Sequence, residues 1–321
     1  MERIPNDCKV SVIMPAYNAE KYIYEAVESI LHQTYQNFEL LIGDDASKDS
    51  TPTIISSFND QRIKFFQNKE NLKKPGTCNY LFEHSTGSLI TIHDADDTSH
   101  PERLEKMVRF FHEHPNIAMC GHSIQRITEK GELLPLYRKK SLDDQSIRKE
   151  MAYDNISGDA SMMFRREIVS EIGGLLRTYF PNNMDYDLAL RIMEKYKVAN
   201  LPEVLLYYRN VPDSISKHIS GYKKLTTQQM TQFLAQQRQE KGTDALMEKD
   251  WDLIQVKEKE FATPYIQDPS LFLRETAARF MYLQMNHHAI KAAWHAVKKE
   301  PFKLINLRTL QYCLRKSYLK F

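Results

Sequence analysis

Between residues 90 and 104 the chain reads ITIHDADDTSHPERL, an apolar run that ends in three carboxylates, Asp94, Asp96 and Asp97. Like charges packed this closely repel, and withdrawing them from water is costly unless something positive lies among them. Two readings are open for the stretch. It is either a solvated acidic helix start, which complements the positive end of a helix dipole, or a seat for a cation and a charged ligand. Asp44 and Asp45 end a second apolar run, FELLIGDD, and Asp185 and Asp187 open an amphipathic one, NNMDYDLALRI. Oxygen donors suit magnesium or manganese, which neutralise a diphosphate as it becomes a leaving group. A separate carboxylate can then take the proton of an attacking hydroxyl.

The elements that must position these groups follow from periodicity. VSVIM (10–14), FELLIG (38–43), RIKFFQ (62–67) and SLITIH (88–93) read as buried strands. Between them lie a helix capped by Asn18 and running through His32, one with Pro52 in its first turn, and one over 76–85. Pro101 opens the helix PERLEKMVRFFHEH. Repeated β–α units of this length predict a parallel sheet with helices on both faces, and ligands of such sheets sit at the carboxyl ends of the strands. Both acidic clusters fall there. In an extended segment Asp94 and Asp96 would project to the same side.

From about 115 to 215 the pattern loosens. IAMCGHSIQRIT allows one strand or two, SMMFRREIVSEIGG a strand and a short helix ended by glycine, DYDLALRIMEKY a helix and EVLLYYR a strand. The stripe Met162, Met163 and Phe164 reads as core. Beyond about 215 the chain reads as helical throughout, with breaks near Gly242, Pro264, Pro269 and Pro301.

Composition narrows the classes. The 321 residues are 42% apolar and 27% charged, an ordinary globular balance, and the net charge of +2 gives no reason to invoke nucleic acid. The aromatic interleaving of a nucleic-acid groove is also missing. That near-neutrality hides an asymmetry, because 17 basic residues face 10 acidic ones from Gly221 onward, and eight face one after Ile290. A basic stretch of this kind suits anionic lipid or an acidic partner, and a solvated helix face is the alternative. The four cysteines have no CxxC spacing, which disfavours a zinc site or a disulfide framework and favours a reducing compartment. MERIPNDCKV lacks an apolar signal core, and no window reaches the roughly 18 apolar residues of a membrane span. The expected location is cytoplasmic, with peripheral contact on the inner face of the cytoplasmic membrane as the variant. No GxxxxGK[ST] loop is present.

VSVIMPAYNAEKYIYEAVESILHQTYQNFELLIGDDASKDST resembles the opening of family 2 glycosyltransferases, enzymes of the GT-A fold. HDADDTSHPERL resembles their DxD region, NNMDYDLALRI their "ED" helix, and LPEVLLYYR the segment after it, so the likeness spans about residues 9–216 in the family's order. It implies an α/β GT-A catalytic domain over 1–218, with a nucleotide-binding half at about 8–115 and an acceptor half at about 116–218, and a helical extension over 219–321. The implied activity is metal-dependent, inverting transfer of one hexosyl or N-acetylhexosaminyl unit. The donor would be a nucleotide-diphosphate sugar, UDP-linked, and the acceptor a glycan or lipid-linked hydroxyl in bacterial surface-glycan synthesis. By the same resemblance Asp96 holds Mn2+ or Mg2+ and Asp94 lies near the ribose or metal; Asp97 either supports them from behind or favours the dipole of the helix after Pro101. Asp45 accepts the N3–H of a uracil-type base, with an Asx-type turn to Ser47 and Asp49 as the alternative. Pro15, Ala16 and Tyr17 shape the base pocket, and Asp185 is the general base, with Met184 where the family's glutamate stands. Arg191 contacts phosphate or else pairs with Asp187 one turn away, and Asp187 reads as a helix-start charge. Gly158 and Asp159 fall in the acceptor region, and His218 is a candidate third metal ligand. No QxxRW motif follows the ED-like helix, which argues against a processive synthase. Two other functions remain. A nucleotidyltransferase would carry a Gly-rich phosphate loop where this chain has PAYNAEKY, and a non-catalytic glycan-binding module has no need of the carboxylates.

Overall fold

A computed structural model describes residues 8–136, 141–152, 158–180, 182–211, 221–282 and 285–319. The chain divides into two compact units, Met1–His218 and Ile219–Phe321. In the first, the four apolar runs become β1 (Val10–Ala16), β2 (Phe38–Asp44), β3 (Ile63–Gln67) and β4 (Leu89–Ile92), all mutually parallel. β1, β2 and β4 are buried at every position, because helices cover both faces and leave no alternation of polar and apolar residues. α1 (Ile23–Leu31) buries Ile23, Ala26, Val27 and Ile30 at helical spacing. α2 (Thr51–Ser56), α3 (Lys73–Glu83) and α4 (Arg103–Glu113) complete the repeated units.

Beyond β4 the sheet changes direction. The two-residue β5 (Thr98–Ser99) is followed by β6 (Ile117–Ile127), α5 (Asp144–Met151), β7 (Met162–Arg165), α6 (Ile168–Glu171), α7 (Met184–Lys195) and β8 (Lys197–Arg209). The strand order is β3-β2-β1-β4-β7-β6-β8-β5. β7 runs antiparallel between β4 and β6, and β5 pairs antiparallel with the end of β8. The sheet is therefore mixed, a GT-A arrangement in which β3-β2-β1-β4 form one parallel block and β6 and β8 pair parallel with each other beyond the antiparallel β7. IAMCGHSIQRI forms one long strand that shifts register against β8, which explains why its pattern allowed two. Met162, Met163 and Phe164 are buried in the sheet, as their composition suggested.

Several boundaries differ from the sequence expectation for local reasons. Asn18 does not cap α1. It takes a left-handed φ of 49°, which asparagine tolerates, and a turn intervenes before the helix starts at Ile23. The third helix begins at Lys73 rather than 76, and α4 at Arg103, two residues after Pro101.

The second unit is helical: α8 (Tyr222–Lys241), α9 (Trp251–Gln267), α10 (Leu271–Tyr282), α11 (Asn286–Lys299) and α12 (Leu304–Leu314). Small residues, Ala277, Ala289, Ala292 and Ala293, let α10 and α11 approach closely around Cys313. Gly242 ends α8 with a left-handed φ of 76°. Pro264 does not break the chain; it lies in the last turn of α9, where a missing N–H forfeits a single helical bond. No disulfide joins the cysteines among the described residues, and no described helix is long and apolar enough to cross a membrane.

Candidate active site

The carboxylates after β4 meet through a tight turn rather than an extended segment. The Asp97 N–H donates to the Asp94 carbonyl at 3.2 Å, and one ligand oxygen each from Asp94, Asp96 and Asp97 lies within 4.8 Å of the others. Ala95 is tucked inward, which drives its two neighbours toward the same space. Asp97 is wholly buried, so it is neither a solvated loop charge nor a simple complement to the dipole of α4. Its Oδ1 accepts the Arg209 N–H at 2.8 Å, while its buried Oδ2 has no hydrogen-bond partner among the described residues. Burial, then the charge of Asp94, lifts the Asp96 carboxyl to about 6, and the same causes raise Asp97 well above the ordinary carboxylate range.

Three cations offset this charge. Lys74 Nζ donates to Asp94 Oδ1 at 2.5 Å. Arg103, 1% exposed, donates to the Ser99 and Thr91 hydroxyls at 3.0 and 2.8 Å and to the Ala160 carbonyl at 2.7 Å. Burial brings its guanidinium down to about 10, against the upward pull of Asp97 and Asp94. Arg209, at the end of β8, donates through Nε to the Asp96 carbonyl at 2.9 Å and reaches Glu25 on α1 at 2.6 Å. None of these three was singled out in the sequence. Nothing in their spacing marks them, because each comes from a different element and only the fold brings them to the turn.

The second acidic pair joins the first through the start of α3. Asp45 N–H donates to the Ala16 carbonyl at 2.8 Å, tying the ends of β1 and β2. Asp45 Oδ1 accepts from Asn68 Nδ2 at 2.9 Å and from the Leu72 N–H at 2.7 Å. Two residues on, Lys74 grips Asp94, so the ends of β2, β3 and β4 are laced together. Lys73 between them adopts a left-handed φ of 63°, a conformation costing an L-residue roughly 1 kcal/mol. The Asx-type turn belongs to Asp44 rather than Asp45: Asp44 Oδ2 accepts the Ser47 N–H at 3.3 Å, and its buried Oδ1 lacks a partner among the described residues. Asp49 instead accepts from Thr51. Asn18 latches the same loops, accepting the Lys48 N–H at 2.8 Å. Pro15 and Ala16 are buried, and Tyr17 is 50% exposed at the rim.

α7 presents two carboxylates with different surroundings. Asp185, in the first turn after the left-handed Asn183, is half-buried, and its Oδ1 accepts the Tyr186 N–H at 2.8 Å. It stands on a different element from the three clustered carboxylates and is not one of that group. Asp187 stands in the first turn of α7, as the sequence suggests, but it is not solvated there. It is fully buried and receives Arg191 Nε and Arg177 Nε, each at 2.9 Å. Arg191 places its other donors on the carbonyls of Ile172, Gly174 and Leu175 at 3.0, 2.6 and 2.5 Å, so the guanidinium serves the scaffold and the phosphate contact gives way to the pairing with Asp187. Gly158 is exposed and leads into the 3-10 turn Asp159–Ser161, whose Ala160 carbonyl takes Arg103. His218 lies outside the described residues.

Similar proteins identify the family. Residues 11–173 match the model of glycosyl transferase family 2. EpsE of Bacillus subtilis, described as a glycosyltransferase, is 34% identical over 67% of this chain and 77% of its own length. The O-antigen biosynthesis glycosyltransferase WbnJ of Escherichia coli is 30% identical over 70% of this chain and 89% of its own. The crystal structure of S. aureus TarS 1-349 in complex with UDP-GlcNAc superposes with a TM-score of 0.63 at 18% identity, covering 96% of this chain and 88% of that one, a likeness of fold. With a GT-A sheet, a carboxylate cluster at its carboxyl edge and these relatives, the chain belongs to glycosyl transferase family 2, enzymes that transfer sugars in glycan synthesis.

Proposed function

We propose that the first unit, 1–218, transfers a single hexosyl or N-acetylhexosaminyl residue from a UDP-sugar to a hydroxyl of a glycan or lipid-linked acceptor, with inversion and with a divalent metal. The observation that supports this reading is the lacing of Asp45 to Asp94 through Leu72 and Lys74, which links the carboxylate we assign to the uracil base with the cluster we assign to the metal. The cluster fits the metal. Its donors are all oxygens, as magnesium and manganese prefer, and the buried Asp97 Oδ2 lacks a partner among the described residues. Asp96 and Asp94 would hold the ion, which supplies neutralising charge as the diphosphate departs. Asp45, with Oδ1 committed to Asn68 and Leu72, keeps Oδ2 for the N3–H of uracil, and Pro15, Ala16 and Tyr17 line that base. Asp185 accepts the proton of the acceptor hydroxyl. UDP and UDP-GlcNAc are ligands of the TarS structures, which supports the class of donor.

A panel of UDP-sugars, assayed for UDP release with Mn2+, with Mg2+ and with EDTA, tests this. Release that needs metal is expected. Release undiminished by EDTA would remove the metal, and no UDP release from any donor and acceptor pair would remove the reading.

The second unit, 219–321, is an extension that brings the enzyme to the cytoplasmic membrane face, where lipid-linked acceptors lie. What supports this is the excess of eight basic residues over one acidic after Ile290, with Trp294, Phe302 and Tyr312 exposed among them. Flotation with phosphatidylglycerol vesicles, but not phosphatidylcholine vesicles, is expected. It should fail when Lys298, Lys299, Arg308, Arg315 and Lys316 are all replaced by glutamine; unchanged flotation would rule the surface out.

A further inference from the structure

Three carboxylates and three cations share the turn after β4, and the cations are not alike. Arg103 is locked by hydrogen bonds to Thr91, Ser99 and Ala160, and Arg209 by bonds to Asp96, Glu129 and Glu25. Both are planar forks pinned at several points, and their side chains are 1% and 5% exposed. Lys74 is a compact charge on a flexible stem, 14% exposed, and it rests on Oδ1 of Asp94, one of the three carboxylates grouped closely enough to hold an ion. It also stands in the first turn of α3, between the Leu72 N–H that holds Asp45 and the carboxylates that would hold metal.

Charge balance gives this placement a consequence. Lys74 bonds to Asp94, Arg209 bonds to the Asp96 carbonyl and to Glu25, and Arg103 is buried on Ser99 and Thr91, so cationic side chains already offset much of the turn's negative charge before any ligand arrives. A divalent ion entering alone would meet an ammonium already seated on its ligand and would leave the site with excess positive charge. An ion entering with a diphosphate restores neutrality and gives the displaced ammonium an anionic partner. The buried Asp97 Oδ2, without a hydrogen-bond partner among the described residues, shows independently that the carboxylates are not saturated by the protein's own groups.

Resting on the donor and metal reading above, we infer that Lys74 is a resident counter-ion that couples metal binding to diphosphate binding. It neutralises Asp94 in the free enzyme, yields that carboxylate to the ion, and then pairs with the diphosphate of the donor. Metal and diphosphate must then strengthen each other's binding by the same factor.

Calorimetric titration of the full chain tests this without any turnover, using MnCl2 alone and then UDP with and without saturating Mn2+. Lys74→Met keeps the stem and removes the charge. It is expected to bind Mn2+ alone roughly tenfold tighter and UDP in saturating Mn2+ roughly tenfold weaker, so the coupling factor falls. Lys74→Arg, which keeps the charge, is expected to stay near wild type in both. The opposed signs separate this role from a structural one. A Lys74→Met protein that loses both affinities together, or binds Mn2+ no tighter than wild type, would overturn the inference. If wild type itself fails to bind UDP in Mn2+, the donor reading falls and takes this one with it.

Discussion

The two ends of the parallel strands treat buried carboxylates in opposite ways. At the amino end, Glu39 on β2 is enclosed: Oε1 accepts from the Ser11 hydroxyl and the Thr86 N–H, both at 2.6 Å, and Oε2 from Lys9 and Lys64 at 2.9 and 2.8 Å. The packing there is close enough that a Cβ on Gly87 would fall 2.6 Å from the Ser11 nitrogen. At the carboxyl end, Asp44 Oδ1 and Asp97 Oδ2 are buried without partners among the described residues, and Asp96 is pushed toward neutrality. β2 carries both kinds, Glu39 near its start and Asp44 at its end. Buried polar atoms are normally satisfied, so a cluster of exceptions needs a cause. Among the described residues Asn182 Oδ1 and Gln229 Oε1 are exceptions elsewhere, but the unpartnered carboxylate oxygens, Asp44 Oδ1 and Asp97 Oδ2, lie at the edge where open α/β sheets bind ligands, and the satisfied Glu39 sits at the edge where they do not.

The widest separation between the two ends should come from Asp96→Ala. Removing the carboxylate takes away an oxygen that would hold the metal and diphosphate, and the expected loss of UDP release is on the order of a thousandfold or more. Its melting temperature in EDTA should be no lower than that of wild type, because one of three crowded like charges is gone. A large drop in melting temperature would mean that the cluster is scaffold and that the two ends do not differ. Asp185→Asn should cut turnover by about 10²–10⁴-fold while UDP binding in Mn2+, read by calorimetry, stays near wild type. Near-normal turnover would remove Asp185 as the base.

The same contrast recurs over two residues of α7. Asp187 is saturated by Arg177 and Arg191, whose side chains are 14% and 2% exposed, whereas Asp185 is half-buried. Asp187→Asn would leave buried guanidinium groups without a counter-charge, and the expected cost is about 3–5 kcal/mol of stability, measured by urea unfolding. UDP affinity of the fraction that remains folded should be little changed. If Asp187→Asn unfolded at the wild-type urea concentration, saturation would be a poor guide to what holds the fold.

How far these groups can be read from sequence depends on whether the deciding contact is local. The four parallel strands, the carboxyl-edge position of both acidic clusters and the Asp187–Arg191 pairing at one helical turn all follow from patterns within a few residues. Contacts across the chain do not. The inward Ala95 that makes Asp94–Asp97 a turn rather than a strand end depends on packing beneath it. The role of Asn18 in holding Lys48 depends on two loops meeting 30 positions apart. Lys74, Arg103 and Arg209 come to the turn from α3, α4 and β8, and the reversal of β7 is set by which strands it fits between. The acids were visible because they cluster in sequence. Their counter-ions cluster only in space.

The smallest effect expected is at the amino edge, and its sign with pH is what makes it useful. Burial alone would raise the Glu39 carboxyl, but hydrogen bonds from Lys64, Ser11, Lys9 and Thr86 outweigh it and hold it well below its ordinary 4.5. A carboxylate depressed in the folded state stabilises the fold above its unfolded value, and that stabilisation is lost as pH falls toward the folded one. Glu39→Gln should therefore cost about 1–3 kcal/mol at pH 7, mainly through Ser11 and Thr86, since Lys9 and Lys64 are 38% and 41% exposed and can be hydrated instead. The difference from wild type should hold steady from pH 8 to about 5 and shrink below about 4.5, as the wild-type carboxylate begins to pay for its charge. UDP release at pH 7 should be unaffected in the folded fraction, because Glu39 lies at the end of β2 away from Asp44. A Glu39→Gln protein with normal stability and impaired UDP release would reverse the assignment of the two edges, placing ligand chemistry at the end where every carboxylate oxygen is already engaged.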